Sequence, residues 1–108
     1  MTRMTLAEWE AEGKRRFGED MLQWQFVCPS CKHIQKVVDF RPYKQFGATA
    51  EDARFNCIGR FMGAAGAFDP AKFKPCNYTL GGLFTLDHVE VLLEDGKTSR
   101  SFHFAEAQ

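Results

Sequence analysis

Apolar positions near the start of the chain recur with a helical period. Leu6, Trp9, Gly13 and Phe17 share one face. Thr5 followed by Glu8 has capping-box spacing, with hydroxyl and carboxylate each satisfying an orphan amide of the first turn. Gly18 stands where a helix would stop. Glu8, Glu10 and Glu12 occupy the N-terminal half and Lys14, Arg15 and Arg16 the C-terminal half. This order complements the helix dipole and provides the i,i+4 pairs Glu10–Lys14 and Glu12–Arg16. The pattern predicts a packing helix with a solvated charged face, not a recognition helix.

The period then changes. Gln23 to Val27 alternate as a strand with one aromatic face, and Cys28-Pro29-Ser30-Cys31 follows directly. His33 to Phe40, with Val37 and Val38, suit a second strand, so the CxxC sits in a tight turn between short antiparallel strands. Arg41 to Arg54 contains Pro42, Gly47 and the acidic step Glu51-Asp52, which predicts a loop with a short helix near its end. Phe55 to Arg60 reads as a short strand entering another tight turn. Residues 61–82 hold Gly63, Gly66, Pro70, Pro75, Gly81 and Gly82 and read as a long irregular loop. A loop of that length in a small domain requires a pin, and Cys76 near its far end supplies one. Leu83 to Leu93, the Asp95-Gly96 turn and Thr98 to Phe104 predict a C-terminal β-hairpin. The fold class is α+β.

The 108 residues fit a single domain, 1–108. A chain of this size buries about 60% or a little more of its unfolded surface, so its core is modest and a metal would help hold it. Fourteen basic and fourteen acidic residues cancel, which removes any bulk pull toward nucleic acid or anionic membrane. The charge is nevertheless uneven, with a net +4 over residues 28–80 and −3 over residues 81–108. Four thiolates around a divalent ion would subtract about two from the basic segment, leaving a mild patch. The N-terminal segment has no apolar h-region, and no stretch approaches the roughly twenty apolar residues of a membrane span. The expectation is a cytoplasmic protein, where thiols stay reduced and cysteines point to metal instead of disulfides.

Cys28 and Cys31 are separated by two residues, Cys57 follows after twenty-five more, and Cys76 after a further eighteen. The CxxC turn aims two sulfurs at one point, with backbone amides directed at them, as tetrahedral thiolate coordination requires. The reading is a structural zinc ion held by Cys28, Cys31, Cys57 and Cys76. A mixed site, with His33, His88 or His103 replacing one cysteine, is an alternative, as are free buried thiols or a redox pair. The redox pair needs Cys28 at a helix N-terminus, and the strand-like residues after Cys31 do not provide it. Lys32 stands where such turns commonly carry glycine. Lysine there costs about 1 kcal/mol if φ turns positive, or the turn takes another geometry.

A catalytic reading finds little to stand on. His88-Val89-Glu90 has the H-x-E string of zinc deaminases, but it follows the cysteines, lies in a strand-like run and lacks a partnered P-C-x-x-C. No G-x-S-x-G, P-loop or H-E-x-x-H string occurs. Four thiolates also close the coordination shell that a catalytic zinc keeps open. The chain reads as a non-enzyme without a small-molecule substrate. Arg60-Phe61 and Lys72-Phe73-Lys74 near Tyr78 combine cations with aromatic faces, the ingredients of a partner-binding surface. With Met62, Phe68 and Phe84 they favour a protein partner over nucleic acid, which is the alternative.

The stretches LAEWEAEGKRRFG, LQWQFVCPSCKH, FNCIGR and PCNYTLGGLF, with the final hairpin, resemble a family of small uncharacterised phage and prophage proteins of proteobacteria. The resemblance covers most of the chain and supports the four cysteines as one set. Lys32 departs from the family pattern, which has glycine there. The resemblance implies a cytoplasmic setting in a bacterial host. By analogy with other phage accessory proteins it implies stoichiometric action on a host protein complex, including inhibition of a defence system such as a CRISPR effector.

Overall fold

The computed structural model describes residues 2–64, 75–82 and 85–106. Helix α1 spans Leu6–Phe17 and begins at the expected capping box, with Thr5 Oγ1 accepting from the Glu8 amide at 3.1 Å and Glu8 returning a carboxylate to the Thr5 amide at 2.9 Å. Gly18 ends it at φ 90°, its amide donating to the Lys14 carbonyl. Trp9 and Gly13 are buried and the charged face is turned outward, except that Arg16 also donates to the Ala105 carbonyl at 2.9 Å. Ahead of the helix lies a strand that the hydropathy pattern does not predict. β1, Thr2–Thr5, is mostly exposed and pairs in parallel with a strand more than eighty residues away.

Two three-stranded sheets result. In the first, β1 lies beside β4 (Val89–Leu92), which pairs antiparallel with β5 (Thr98–Ser101). In the second, β2 (Gln25–Val27) is central between antiparallel β3 (Ile34–Lys36) and β6 (His103–Phe104). The C-terminal run therefore crosses from one sheet to the other at Phe102, whose amide donates to the Arg54 carbonyl at 2.7 Å. The expected hairpin is present over β4 and β5. Asp95 caps its turn by accepting from the Lys97 amide, and Gly96 takes φ 85°.

The core lies under α1 and between the sheets. Trp24 and Phe26, on adjacent alternating positions of the aromatic run, are 1% and 2% exposed. Phe104 stacks on Phe26 and Trp9 with ring centroids 5.1 and 5.3 Å apart, and Trp24 meets Trp9 edge-on at 5.5 Å. Such pairs contribute about 0.5–1.5 kcal/mol each beyond the area they bury. Trp24 is further fixed by its indole N–H donating to the Gly18 carbonyl at 2.9 Å.

Three segments differ from expectation. β3 ends at Lys36, and Val37–Phe46 forms 3-10 turns instead of continuing the strand, with Asp39 accepting from the Lys36 amide at 2.8 Å. The short strand expected over Phe55 to Arg60 is reduced to the single bridge Asn56–Thr79, although the short helix expected before it is present as the 3-10 turn Ala50–Arg54. After Cys57 the chain does not enter the long loop at once, because α2 spans Gly59–Ala64. Residues 65–74, with Phe68, Lys72, Phe73 and Lys74, and residues 83–84, with Phe84, lie outside the described residues.

Candidate metal centre

Two backbone turns deliver the sulfurs. The first closes the β2–β3 hairpin, where the Cys28 amide donates to the His33 carbonyl at 3.0 Å and the Lys32 amide to the Cys28 carbonyl at 2.9 Å. This geometry drives Lys32 to φ 68°, the one positive φ among described non-glycine residues. The turn thus keeps its shape and accepts the lysine strain foreseen at that position, about 1–2 kcal/mol for a left-handed L-residue.

The second turn follows Cys57. The Cys57 amide donates to the Tyr78 carbonyl at 2.9 Å and the Leu80 amide to the Phe55 carbonyl at 3.1 Å, around the antiparallel bridge Asn56–Thr79. This short ladder lays residues 78–80 along residues 55–57 and so brings Cys76, two residues before it, to the same point. Gly59 makes the approach possible: a Cβ there would lie 1.9 Å from the Cys76 carbonyl oxygen. Arg60 then reaches back to donate to the Asn77 carbonyl at 2.7 Å.

The result is a group of four thiols, Cys28, Cys31, Cys57 and Cys76, with all sulfurs within 4.8 Å of one another. Cys28 and Cys76 are 3.7 Å apart and Cys31 and Cys57 3.8 Å. A disulfide needs about 2.05 Å, so none is formed. A tetrahedral ion with metal–sulfur bonds of about 2.3 Å, the zinc value, separates its sulfurs by about 3.8 Å. The cluster can therefore hold one metal ion with little rearrangement. Cys28 and Cys57 are fully buried, and Cys31 and Cys76 half-buried.

The electrostatics favour a cation at the centre. The neighbouring Cys57 thiol, aided by the amides of Cys31 and Ser30, holds Cys28 down at about 5. The same contact and burial push Cys57 far up, and burial pushes Cys76 up to about 11. One thiolate forms readily and suppresses its neighbours, because like charges in one site cannot all ionise. A bound dication removes that conflict and deprotonates its ligands.

No histidine joins this group among the described residues. His88 is buried with Nδ1 2.9 Å from the Leu86 carbonyl, and His103 Nε2 is 3.1 Å from Asp87 Oδ2. His33 contributes its carbonyl to the first turn. Glu90, two residues after His88, pairs with Arg3 on β1 at 3.6 Å. The H-x-E string thus runs from the residue before β4 into that strand and is not part of the thiol cluster.

Of the residues proposed as a partner surface, Arg60 is exposed, whereas Phe61 and Tyr78 are half-buried. Phe61 meets Phe40 edge-on at 5.8 Å, and Tyr78 stacks on Phe102 at 6.1 Å while its hydroxyl accepts from the Leu86 amide. Lys72, Phe73 and Lys74 lie outside the described residues. Gly59, which carries no metal-binding chemistry itself, is a supporting residue that motif reasoning passes over.

Residues 5–105 match the family described as VVA0879-like. The chain belongs to that family. The match spans all four cysteines, both turns and the closing hairpin. No curated protein and no solved structure matches the chain. No helix among the described residues is long and apolar enough to cross a membrane.

Proposed function

We propose that this chain is a non-enzymatic zinc protein of phage type, whose metal centre holds a binding surface in shape for a host protein complex. The observation that carries the metal half of this reading is the convergence of four thiols within 4.8 Å of one another, with two pairs at the 3.7 and 3.8 Å that a tetrahedral zinc requires. Zinc is the ion, because an all-thiolate tetrahedral shell suits it and a closed shell serves structure better than catalysis. Binding of zinc to such sites is worth about 10–16 kcal/mol in small finger peptides, against a domain stability of about 5–15 kcal/mol. Metal and fold are then one transition.

The protein-partner half is supported by apolar surface. Met21, Leu92, Ile34, Leu86 and Phe46 are exposed, and a cavity of about 330 Å³ opens over Trp9, Trp24, Phe26 and Val91. The phage setting rests on the resemblance of the four stretches, three of which carry the cysteines, and the anti-defence role on analogy with other phage accessory proteins. Metal content comes from elemental analysis of protein purified without added zinc. The expected result is one zinc per chain, with chelation collapsing the fold. A folded, metal-free protein with four reactive thiols would reject the centre. The partner is sought by capture from bacterial host lysate with and without nuclease. A protein complex recovered in both arms supports the reading, and loss of everything on nuclease treatment turns it toward nucleic acid, whose affinity would fall steeply with salt.

A further inference from the structure

We propose that Gln35 is the positioning residue of the metal centre: its buried carboxamide locks the Cys57 turn onto the hairpin that carries Cys28 and Cys31. This rests on the metal-binding reading above. Gln35 sits in the middle of β3, opposite Phe26 of β2, and is wholly buried. A buried strand position ordinarily takes a hydrophobe. Its neighbour Ile34 is instead 45% exposed, so the strand turns its apolar side chain outward to bring an amide in.

The amide is fully used. Nε2 donates to the Ala53 carbonyl and to the Asn56 carbonyl, both at 2.8 Å, and Oε1 accepts from the Ile58 amide at 3.0 Å. Asn56 and Ile58 are the residues immediately before and after Cys57. One side chain therefore grips the backbone on both flanks of a metal ligand, from the same hairpin that supplies two others. Cys57's own amide goes to Tyr78, which orients it toward Cys76 and leaves its distance from Cys28 and Cys31 to Gln35. Asn56 in turn donates to Asp52 at 2.8 Å, so the grip extends into the 3-10 turn at Ala50–Arg54. A thioether in place of the amide would leave two carbonyls and one amide unpaired in the interior, and the Cys57 turn would settle elsewhere.

Residues that orient metal ligands typically change metal affinity by about 10–100-fold when altered. The test compares Gln35→Met, close in volume, with Val91→Ala, a core change in the other sheet that lowers stability without touching the cysteines. Wild type and both variants are saturated with Co2+ and read by thiolate charge-transfer and d–d absorption. Cobalt transfer to a chelator is then timed well below the unfolding temperature of each protein. A wild type without a tetrahedral thiolate spectrum overturns the metal reading itself, separately from the role of Gln35. Given that spectrum, Gln35→Met is expected to alter the d–d bands and to release cobalt about tenfold faster than Val91→Ala, or more. A Gln35→Met spectrum and release rate matching those of Val91→Ala would overturn the positioning role. Should Gln35→Met not fold, Gln35→Asn, which withdraws the amide by one methylene, is read against the same two outcomes.

Discussion

Gly59→Ala adds a single methyl group at the point where the two halves of the candidate metal centre touch. The new Cβ would lie 1.9 Å from the Cys76 carbonyl oxygen, 2.7 Å from its carbonyl carbon and 2.9 Å from that of Pro75. All three are backbone atoms, so no side chain can swing aside. Reaching even the 3.0 Å floor for real contacts moves the Cys76 backbone by roughly 1.1 Å. Metal–sulfur distances tolerate about 0.2 Å. Overpacking of this kind costs about 1–3 kcal/mol. Without metal the fold is lost and the strain with it; with metal, Cys76 is tethered and cannot retreat. The cost therefore falls on the loaded state and appears as about 5- to 140-fold weaker zinc binding, at 1.4 kcal/mol per tenfold. Competition against a chromophoric chelator at fixed pH measures it. Gly81→Ala is the control, since its Cβ meets the Phe55 ring at 3.4 Å and the Thr79 hydroxyl at 3.7 Å, ordinary contacts. Affinity of Gly59→Ala within about twofold of wild type, under 0.5 kcal/mol, with an unchanged cobalt spectrum, would refute the argument.

Other outcomes follow from the same geometry. Cys31→Ser and Cys76→Ser should each sharply lower zinc affinity, whereas His33→Ala, His88→Ala and His103→Ala should keep one zinc per chain; elemental analysis distinguishes them. Gly13→Ala sets a helix-propensity gain of about 1 kcal/mol against a Cβ only 2.5 Å from the Trp24 ring. Overpacking at about 1–3 kcal/mol wins, so denaturant titration should show a less stable protein. Glu12 is held at about 2 by hydrogen bonds from Arg15 and Arg16. Because this folded value lies below the ordinary 4.5, its stabilisation is whole above about pH 4.5 and is lost as pH falls toward 2. Glu12→Gln should therefore lower stability at pH 7 by less than about 1 kcal/mol, typical of a solvated pair, and the gap should close in acid.

The helix was legible because its information is local. Capping box, charge order and apolar stripe all lie within thirteen residues, and each acts through neighbours on the same helix. The first cysteine turn was legible for the same reason: two ligands two residues apart need only one tight hairpin. The closing hairpin announced itself by Asp95-Gly96. By contrast, β1 is four residues of mixed polarity whose partner Val89–Leu92 lies at the other end of the chain. Nothing in Thr2–Thr5 could announce that pairing. Val37 and Val38 have strand propensity, yet Asp39 accepting from the Lys36 amide turns the chain into a 3-10 segment there.

For the metal centre, residue type and spacing determined that Cys28 and Cys31 form a pair, and they nominated Cys57 and Cys76 as its completion. Only the tertiary structure decided that all four meet, because it depends on a ladder between residues 55–57 and 78–80 and on a glycine with no room for a methyl group. Gln35 shows the limit most plainly. Hydropathy would bury Ile34 and expose its neighbour, and the fold does the reverse. The amide's value lies in three backbone groups around Cys57 that come within its reach only once the chain has folded.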